Sequence, residues 1–451
     1  MRPDDRSRWD FDVAVIGGGP AGSTCAAALA RRHRRVLLLE RERFPRFHIG
    51  ESLLANVSDL FDRIGVDPAE FGDRFVEKWG ASFVTADGAV SRYVDFTAAL
   101  QTPRPRTWQV ERSKFDDLLL RHALASGAEV HQETRALHAT FAPDGVEIAF
   151  AGEQGGERRA RVGAVVDASG RAGFLSARFG HRRPDPRLRK VAVHAHYEGI
   201  SRPEGRRGGD IRIVSRPDLG WFWFIPLAGG RMSVGVVVDH AVHAARPQGT
   251  LEETLAAYIA ETPQAAAWCR TARRISPVRT EADFSYHADR HAGDRYLIAG
   301  DAGAFLDPVF STGVMLAMTS GLEAAEAIDA GLTAGDLSAR RFQPYERRLH
   351  RRYLHFRRFV AGFYEAPFRD VFFQPTARLG LAAAVTSILA GNWRPSWAVR
   401  WRLAVFFALV RMQRYVTVVP RTHSGALSSA APPVAAPAVA PGDGVTTTTG
   451  S

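Results

Sequence analysis

One stretch near the start of the chain decides the fold: Val-Ala-Val-Ile-Gly-Gly-Gly-Pro-Ala-Gly, residues Val13 to Gly22. Its first four residues are apolar and predict a short buried strand. Gly17, Gly19 and Gly22 then follow the pattern G-x-G-x-x-G, which permits a tight turn, close approach of a pyrophosphate and close packing of a helix on the strand. The small residues that follow favour a helix whose N-terminal N–H groups would face the phosphates. The stretch therefore predicts a dinucleotide site.

A second apolar run, Val36 to Leu39, ends in Glu40. In dinucleotide-binding units an acid at this point binds the ribose hydroxyls, and it favours FAD or NAD over NADP. Strand, turn, helix, strand and acid occur here in the order of one such unit. We expect a Rossmann-like three-layer α/β fold with a parallel sheet. A glycine-rich turn in an unrelated α/β fold is the alternative.

The composition is typical of a globular protein, with 451 residues of which 45% are hydrophobic and 24% charged. The two cysteines, Cys25 and Cys269, suggest neither a disulfide framework nor a zinc site, so we expect a cytoplasmic protein without bound metal. We expect no signal peptide and no transmembrane helix. The net charge of +11 predicts a solvated basic surface rather than a nucleic-acid partner.

The strand patterns divide the chain into four regions. Short alternating runs such as Trp221 to Leu227 are typical of an antiparallel sheet, whereas the runs around the glycine turn favour a parallel one. Residues 424–451 are rich in alanine, proline and threonine and are expected to be disordered. The predicted regions are a discontinuous FAD-binding domain (8–80, 105–185 and 280–340), an antiparallel-sheet substrate domain (81–104 and 186–279), a C-terminal helical region (341–423) and the tail.

Three segments in order resemble the FAD-dependent monooxygenase superfamily. They are the glycine turn with its acid, Asp167 to Gly170 (Asp-Ala-Ser-Gly), and Gly300 to Ala302 (Gly-Asp-Ala). In that superfamily the last aspartate binds flavin hydroxyls and a basic residue approaches the cofactor, so the resemblance assigns these roles to Asp301 and Arg112. Taken alone, Asp301 could instead be a helix N-cap. A second dinucleotide loop is missing from the sequence, which implies FADH2 supplied by a partner reductase or a transient nicotinamide.

The resemblance thereby implies a set of FAD-binding residues. They are Gly17, Gly19, Ala21, Gly22, Glu40, Arg112, Asp301, Gly313 and Val314.

Further stretches resemble the flavin-dependent halogenases of the phenol and pyrrole type. Trp221 to Pro226 (Trp-Phe-Trp-Phe-Ile-Pro) matches the motif W-x-W-x-I-P, and Lys78 stands where these enzymes carry an essential lysine. Phe44 to Leu54 and Asp307 to Val314 are similar to loops of the same group. The resemblance extends from Phe11 to about Val360.

Each motif also has a structural interpretation. Two tryptophans one residue apart in a strand place both rings on one face and usually belong to a core. A lone lysine is usually a solvated charge. Ile225 and Pro226, which complete the motif, favour the family assignment of Trp221 and Trp223.

The sequence also departs from related patterns. Phe310 stands where tryptophan halogenases carry a glutamate before the Ser-Thr-Gly segment, which argues against free tryptophan as substrate. Ala55 stands where the related loop often has proline, so that loop is expected to differ in shape.

The resemblance implies a reaction in which FADH2 and O2 give a flavin hydroperoxide, chloride or bromide is oxidised to hypohalous acid, and Lys78 presents the halogen to a phenol or pyrrole. Backbone N–H groups at Thr312 and Gly313, before a predicted helix, are the candidate halide site. Trp221 and Trp223, with Ile225 and Pro226, would separate flavin from substrate. The expected setting is the biosynthesis of natural products such as antibiotics.

Other interpretations stay open. An aromatic hydroxylase would use the same scaffold without halide or the lysine, an isoprenoid double-bond reductase would act without oxygen, and a flavin-binding partner would have lost its chemistry. The basic stretch Arg341 to Arg358 is either a solvated helix face or a docking site for an acyl or peptidyl carrier protein that delivers the substrate. The apolar stretches Leu379 to Ala390 and Leu403 to Val410 favour buried helices over membrane contact.

Overall fold

The computed structural model describes residues 8–102, 104–152, 155–374 and 378–422, so the predicted disordered tail lies outside the described residues. The strands are β1 (Phe11–Ile16), β2 (Val36–Leu39), β3 (Val76–Lys78), β4 (Gly80–Val84), β5 (Ser91–Asp95), β6 (Thr107–Gln109), β7 (Glu129–His131), β8 (Thr134–Ala142), β9 (Gly145–Gly152), β10 (Glu157–Asp167), β11 (Arg182–Pro184), β12 (Lys190–Glu198), β13 (Ile211–Ser215), β14 (Trp221–Pro226), β15 (Met232–Asp239), β16 (Arg273–Arg274), β17 (Arg279–Ala282), β18 (Tyr286–Ala288), β19 (Ala292–Gly293), β20 (Tyr296–Ile298) and β21 (Ala304–Phe305). The α-helices are α1 (Pro20–Ala30), α2 (Val57–Ile64), α3 (Arg112–Ala125), α4 (His240–Ala244), α5 (Leu251–Ala260), α6 (Pro263–Cys269), α7 (Gly313–Ala334), α8 (Ala339–Phe363), α9 (Ala366–Phe373), α10 (Leu381–Leu389) and α11 (Trp397–Gln413).

The predicted parallel sheet is confirmed. Strands β20, β10, β1, β2 and β7 lie side by side in parallel, and β19 extends the edge. The first half of β10 turns away to pair antiparallel with β9, which pairs with β8. Helix α7 packs closely on α1 at Gly321. A Cβ at this position would collide with the carbonyl of Ala21, so the close approach requires glycine. This layer forms the α/β half of the fold expected from the glycine turn.

The predicted antiparallel sheet is also present. Its order is β16-β12-β15-β14-β13-β4-β5, with β17 on the edge of β12, and β13 and β4 are its parallel pair. On one face Phe222 and Phe224 belong to a core shared with α5 and α6. On the other face Trp221, Trp223 and Ile225 belong to the core shared with the parallel-sheet layer. The alternation along β14 therefore directs the tryptophans toward the dinucleotide-binding half.

The C-terminal region is helical, as predicted, and it packs over the junction of the two sheets. Phe359, Phe363, Phe368 and Phe372 form a chain of aromatic contacts from α8 to α9. Of the apolar stretches expected to be buried helices, Leu403 to Val410 lies within α11, whereas Leu379 to Ala390 extends beyond both ends of α10 and its first residue is exposed. Within the described part of the chain, no helix combines the length and the apolar character needed to cross a membrane.

Gly235 leaves room for the indole ring of Trp223. It lies on β15 between Trp223 on β14 and His194 on β12. A Cβ at this position would overlap the six-membered ring of Trp223 and lie 2.6 Å from His194 Cβ. The Trp223 ring lies across the glycine because no side chain stands there.

We predict that Gly235→Ala lowers the free energy of unfolding by about 1–3 kcal/mol, because the added methyl must displace Trp223 or bend the sheet. Urea unfolding measures the change. Gly152→Ala is the matched control, since its Cβ would meet atoms no nearer than 3.9 Å at the end of β9. Equal stability of the two variants would contradict the packing argument.

Candidate active site

The glycine turn is packed so tightly that two of its glycines have no room for a side chain. A Cβ on Gly22 would collide with the carbonyl of Gly17, and one on Gly17 would collide with the carbonyl of Ala168 in β10's continuation. Gly17 has φ +104°, which favours glycine. These contacts hold the turn tightly between β1, β10 and the N-terminus of α1, and a helix N-terminus of this kind favours a pyrophosphate.

Glu40 follows β2 and supports the turn directly. Its carboxylate accepts hydrogen bonds from the backbone N–H of Gly18 at 2.6 Å and of Glu42 at 2.9 Å. Each carboxylate oxygen has a further lone pair. The side chain is thus placed at the turn, and its predicted contact with ribose hydroxyls stays a prediction.

Asp301 lies against the same turn. Gly300 has φ +60°, and its Cβ would lie 2.9 Å from Ala21 Cβ, so the Gly-Asp segment and the glycine turn meet. Burial raises the pKa of the Asp301 carboxyl to about 6, although Arg112, Arg171 and Arg182 oppose that shift. The short helix over 300–302 has Ala299 as its N-cap, so the N-cap interpretation of Asp301 is wrong.

Arg112 holds a loop as well as facing Asp301. Its guanidinium pairs with Asp116 through two bonds of 2.7 and 2.9 Å, and its Nη1 donates to the carbonyl of Ile49 at 2.7 Å. Ile49 belongs to the Phe44 to Leu54 loop. The predicted cofactor residue therefore also positions the loop that leads to Ser52 and Leu53.

The start of α7 offers unused donors. Thr312 is the N-cap residue and is buried, and its side chain makes no capping bond. In the described ranges no acceptor pairs with the backbone N–H of Gly313 or Val314. Free N–H groups at the N-terminus of a long helix favour an anion or a polarised carbonyl.

Lys78 is not the solvated charge that a lone lysine usually is. It lies on β3 opposite Thr107 of β6 and is 1% exposed. Its Nζ donates to Ser52 Oγ and to the carbonyl of Leu53, both at 2.8 Å. Burial lowers the pKa of this amine to about 7, and Asp210 opposes the shift.

The two acceptors suit a neutral amine. A neutral amine has two N–H donors and a lone pair, whereas an ammonium has three donors. With Ser52 and Leu53 accepting two hydrogen bonds, the neutral form of Lys78 needs no third acceptor, and a further neighbour is the ring of Phe96, whose centroid lies 5.4 Å from Nζ. Burial therefore favours the neutral amine at Lys78 far more than in a solvated lysine.

Glu51 and two histidines lie next to the Ser52–Leu53 segment that holds Lys78. Glu51 is 1% exposed, its Oε1 lies 2.8 Å from His196 Nε2, and its Oε2 has no partner among the described residues. Burial lowers the pKa of His194 to about 4, so this ring is neutral. His194 stacks on Phe47 and tilts against Trp223, with centroid separations of 6.1 and 5.8 Å. Spacing in the sequence did not single out either histidine.

The tryptophan pair is held at both indole nitrogens. The rings of Trp221 and Trp223 are 5.9 Å apart. Trp223 Nε1 donates to Ser233 Oγ at 3.1 Å, and Trp221 Nε1 donates to the hydroxyl of Tyr364 at 2.8 Å. Tyr364 in turn donates to Asp307 Oδ2 at 2.7 Å. Asp307 begins the loop that reaches Thr312, so Trp221 is linked to the start of α7.

Tyr364 was missed by sequence reasoning. It follows α8 at a point without any motif, and only packing brings it to Asp307. Burial raises the pKa of the Asp307 carboxyl to about 6. The structure thus supplies a buried acid near Phe310, although Phe310 itself carries none.

The glycine turn, the free N–H groups at the start of α7 and Asp301 together fit a flavin dinucleotide. The turn suits a pyrophosphate, the N–H groups suit an anion or a carbonyl, and the Asp301 carboxyl suits hydroxyls. As for metals, the described residues contain no cluster of three His, Cys, Asp or Glu side chains that could hold an ion.

We predict that Lys78→Met changes how stability depends on pH. The pKa of this amine falls from 10.5 in the unfolded chain to about 7 in the folded protein. Between these values the unfolded state binds a proton that the folded state does not, so wild-type stability rises with pH by about 1.4 kcal/mol per unit relative to the variant. Urea unfolding from pH 6 to pH 10 measures this slope.

The exposed Lys114→Met is the matched control and should leave the slope unchanged. Parallel pH curves for wild type and Lys78→Met would show that the amine is not held in an unfavourable environment.

We predict that Tyr364→Phe lowers the free energy of unfolding by about 1–3 kcal/mol, because it leaves two buried partners unpaired. In a double-mutant cycle with Trp221→Phe the two losses should not add, since both remove the same bond. Tyr353→Phe, within α8, is the control because its hydroxyl contacts neither Trp221 nor Asp307. Additive losses would contradict the link.

Comparison with known proteins identifies relatives of this chain. The family model described as tryptophan halogenase matches residues 12–102 and 89–379. The flavin-dependent halogenase armH3 of Armillaria mellea is 38% identical over 342 residues, covering 71% of this chain and 68% of its own length. The sulochrin halogenase gedL of Aspergillus terreus is 35% identical over 346 residues, covering 70% of this chain and 63% of its own length.

A solved structure gives the same result for the fold. The flavin-dependent brominase Bmp2 superposes with a TM-score of 0.78 at 28% identity, covering 89% of this chain and all of its own. The predicted α/β fold with an antiparallel sheet and C-terminal helices is thereby confirmed. The chain belongs to the flavin-dependent halogenases, FAD enzymes that halogenate aromatic molecules.

Proposed function

We propose that this enzyme halogenates a phenol or pyrrole, using chloride or bromide, O2 and FADH2 from a separate flavin reductase. The observation that carries the proposal is Lys78, a buried amine with a pKa of about 7. It donates hydrogen bonds to Ser52 and Leu53. Bound reduced FAD and O2 supply the oxidising equivalent for the halide. Lys78 then captures the resulting hypohalous acid and presents electrophilic halogen to the ring.

The halide binds at Thr312 and Gly313 in this proposal. The N–H groups at the start of α7 are free of protein acceptors in the described residues, and the helix dipole favours an anion there. The buried hydroxyl of Thr312 makes no capping bond and is available as a further donor.

Trp221 and Trp223 keep the aromatic substrate away from the flavin. Support comes from their place on the sheet face toward the dinucleotide-binding half, and from the bonds to Tyr364 and Ser233 that fix both rings. Phe310 and Phe363 pack together at 5.5 Å beside this wall, which favours a flat apolar substrate. A substrate that is already electron-rich needs no strong base next to it.

The substrate is either free or delivered on an acyl or peptidyl carrier protein. Part of the basic stretch is internal, since Arg352 is buried against Glu323 and Arg357 pairs with Asp185. The remaining arginines leave a positive face for an acidic carrier, whose docking would weaken with salt. We place the reaction in natural-product biosynthesis, such as that of antibiotics, and in the cytoplasm.

The test supplies FAD, a flavin reductase, NADH, O2 and bromide, with phenols and pyrroles as acceptors, and detects products by mass spectrometry. We expect brominated product, and a loss of about 10²-fold or more in Lys78→Ala. Lys78→Arg should not restore activity, because arginine does not deprotonate in proteins. Lys114→Ala is the matched control and should keep full activity.

Two results would contradict the proposal. A product that gains oxygen instead of bromine would identify a hydroxylase. Undiminished bromination by Lys78→Ala would show that the amine does not carry the halogen.

A further inference from the structure

A cleft outside the candidate active site lies between the middle of α8, the segment after α10 and the start of α11. It encloses about 610 Å³ and is lined by Arg348, Arg351, His355, Trp393, Arg394, Pro395 and Arg400. Four of these side chains are arginines from three separate segments. The family model ends at residue 379, so the Trp393 to Arg400 side of this cleft lies beyond the matched region.

The positive charge of the cleft is mostly unbalanced. Glu323 is the carboxylate nearest to it and is shared by Arg352 at 2.6 Å, Arg348 at 3.5 Å and Arg394 at 3.8 Å. In the part of the chain that the structure describes, no carboxylate lies within ion-pair distance of Arg351 or Arg400. Like charges held this close repel each other, and a bound anion would relieve that repulsion.

Unsatisfied donors collect at the same place. The buried Nε and Nη1 of Arg352 and the Nδ2 of Asn392 have no hydrogen-bond partner among the described residues, and neither has the Nε2 of His355, which lines the cleft. The Oε2 of Glu323, beside them, is an acceptor that also lacks such a partner. Arg352 lies 4.0 Å over the ring of Trp393, so its donors stand directly behind the cleft wall. Because the Trp393 ring lies between Arg352 and the cleft, this guanidinium adds positive charge behind the cleft wall without contacting a ligand in the cleft.

We propose that this cleft is a binding site for a phosphate monoester, separate from the cofactor site. A phosphate monoester carries two negative charges and three acceptor oxygens, which match several guanidinium forks at once. A chloride ion carries only one negative charge and has no set of separate acceptor atoms to match the guanidinium groups. The proposal does not rest on the halogenation reaction.

The segment after α10, which forms one side of the cleft, also packs against the loop that holds Lys78. A Cβ on Gly391 would lie 3.4 Å from Leu54 Cβ and 2.9 Å from Asn56 Cβ. The neighbouring Leu53 supplies the carbonyl that holds Lys78. A ligand that orders the segment after α10 therefore bears on the loop that positions the amine.

Two sources carry this chemistry, a free phosphorylated small molecule and the headgroup of an anionic lipid. Leu354 and Trp397, in the segments that supply the cleft, are 48% and 78% exposed and would suit a lipid surface. The experiment therefore has one arm for each source.

The first arm titrates glycerol 3-phosphate into the FAD-saturated protein by calorimetry, so that the glycine turn is already occupied. We expect binding by wild type, and an association constant about 100-fold lower in Arg351→Gln/Arg394→Gln, since each lost charged contact is worth about tenfold. Arg340→Gln, exposed at the start of α8 and outside the cleft, is the matched control and should bind as wild type does.

The second arm measures co-sedimentation with vesicles of phosphatidylcholine with and without phosphatidic acid. Sedimentation that needs both phosphatidic acid and the two arginines identifies the lipid source, whereas binding of glycerol 3-phosphate alone identifies a free ligand. The proposal is overturned if wild type binds neither probe beyond matched sodium chloride, or if the double variant binds as tightly as wild type. Retained FAD binding and a melting temperature no lower than that of wild type show that the double variant is folded.

Discussion

The bond from the Lys78 amine to the carbonyl of Leu53 is the constraint on which the site depends. It joins the short ladder of β3 and β6 to the loop after β2, segments that come from different halves of the fold. It also takes the amine out of water, where an ordinary lysine would stay charged. The low pKa of the residue is therefore a property of the junction between the two sheets.

The same junction organises the aromatic wall. Strand β14 alternates between two cores, and its register places Trp223 over Gly235 and Trp221 within reach of Tyr364. The C-terminal helices complete this arrangement, since Tyr364 comes from the end of α8. The wall is thus built from a sheet strand, a helix end and the Asp307 loop, and each fixes one side of it.

Local patterns predicted the parts of the site that single segments form. The glycine turn, Glu40, the Asp301 segment and the strand with the tryptophans are each short, with spacing set by one turn or one strand. The links between segments could not be predicted in this way. Ser52 meets Lys78, Asp307 meets Tyr364, and His196 meets Glu51 only through the packing of distant strands and helices. The residue limits of the predicted domains stay a prediction, because one continuous core joins the two sheets.

Arg112 has a thermodynamic consequence. Its donors are divided between Asp116 and the carbonyls of Ile49 and Gly50, and the same loop continues into the residues that hold Lys78. A ligand that changes the hydrogen bonds of Arg112 would act on the loop that also supplies the acceptors of Lys78. By linkage, any effect of such a ligand on the lysine would be matched by an equal effect of the lysine on the binding of that ligand.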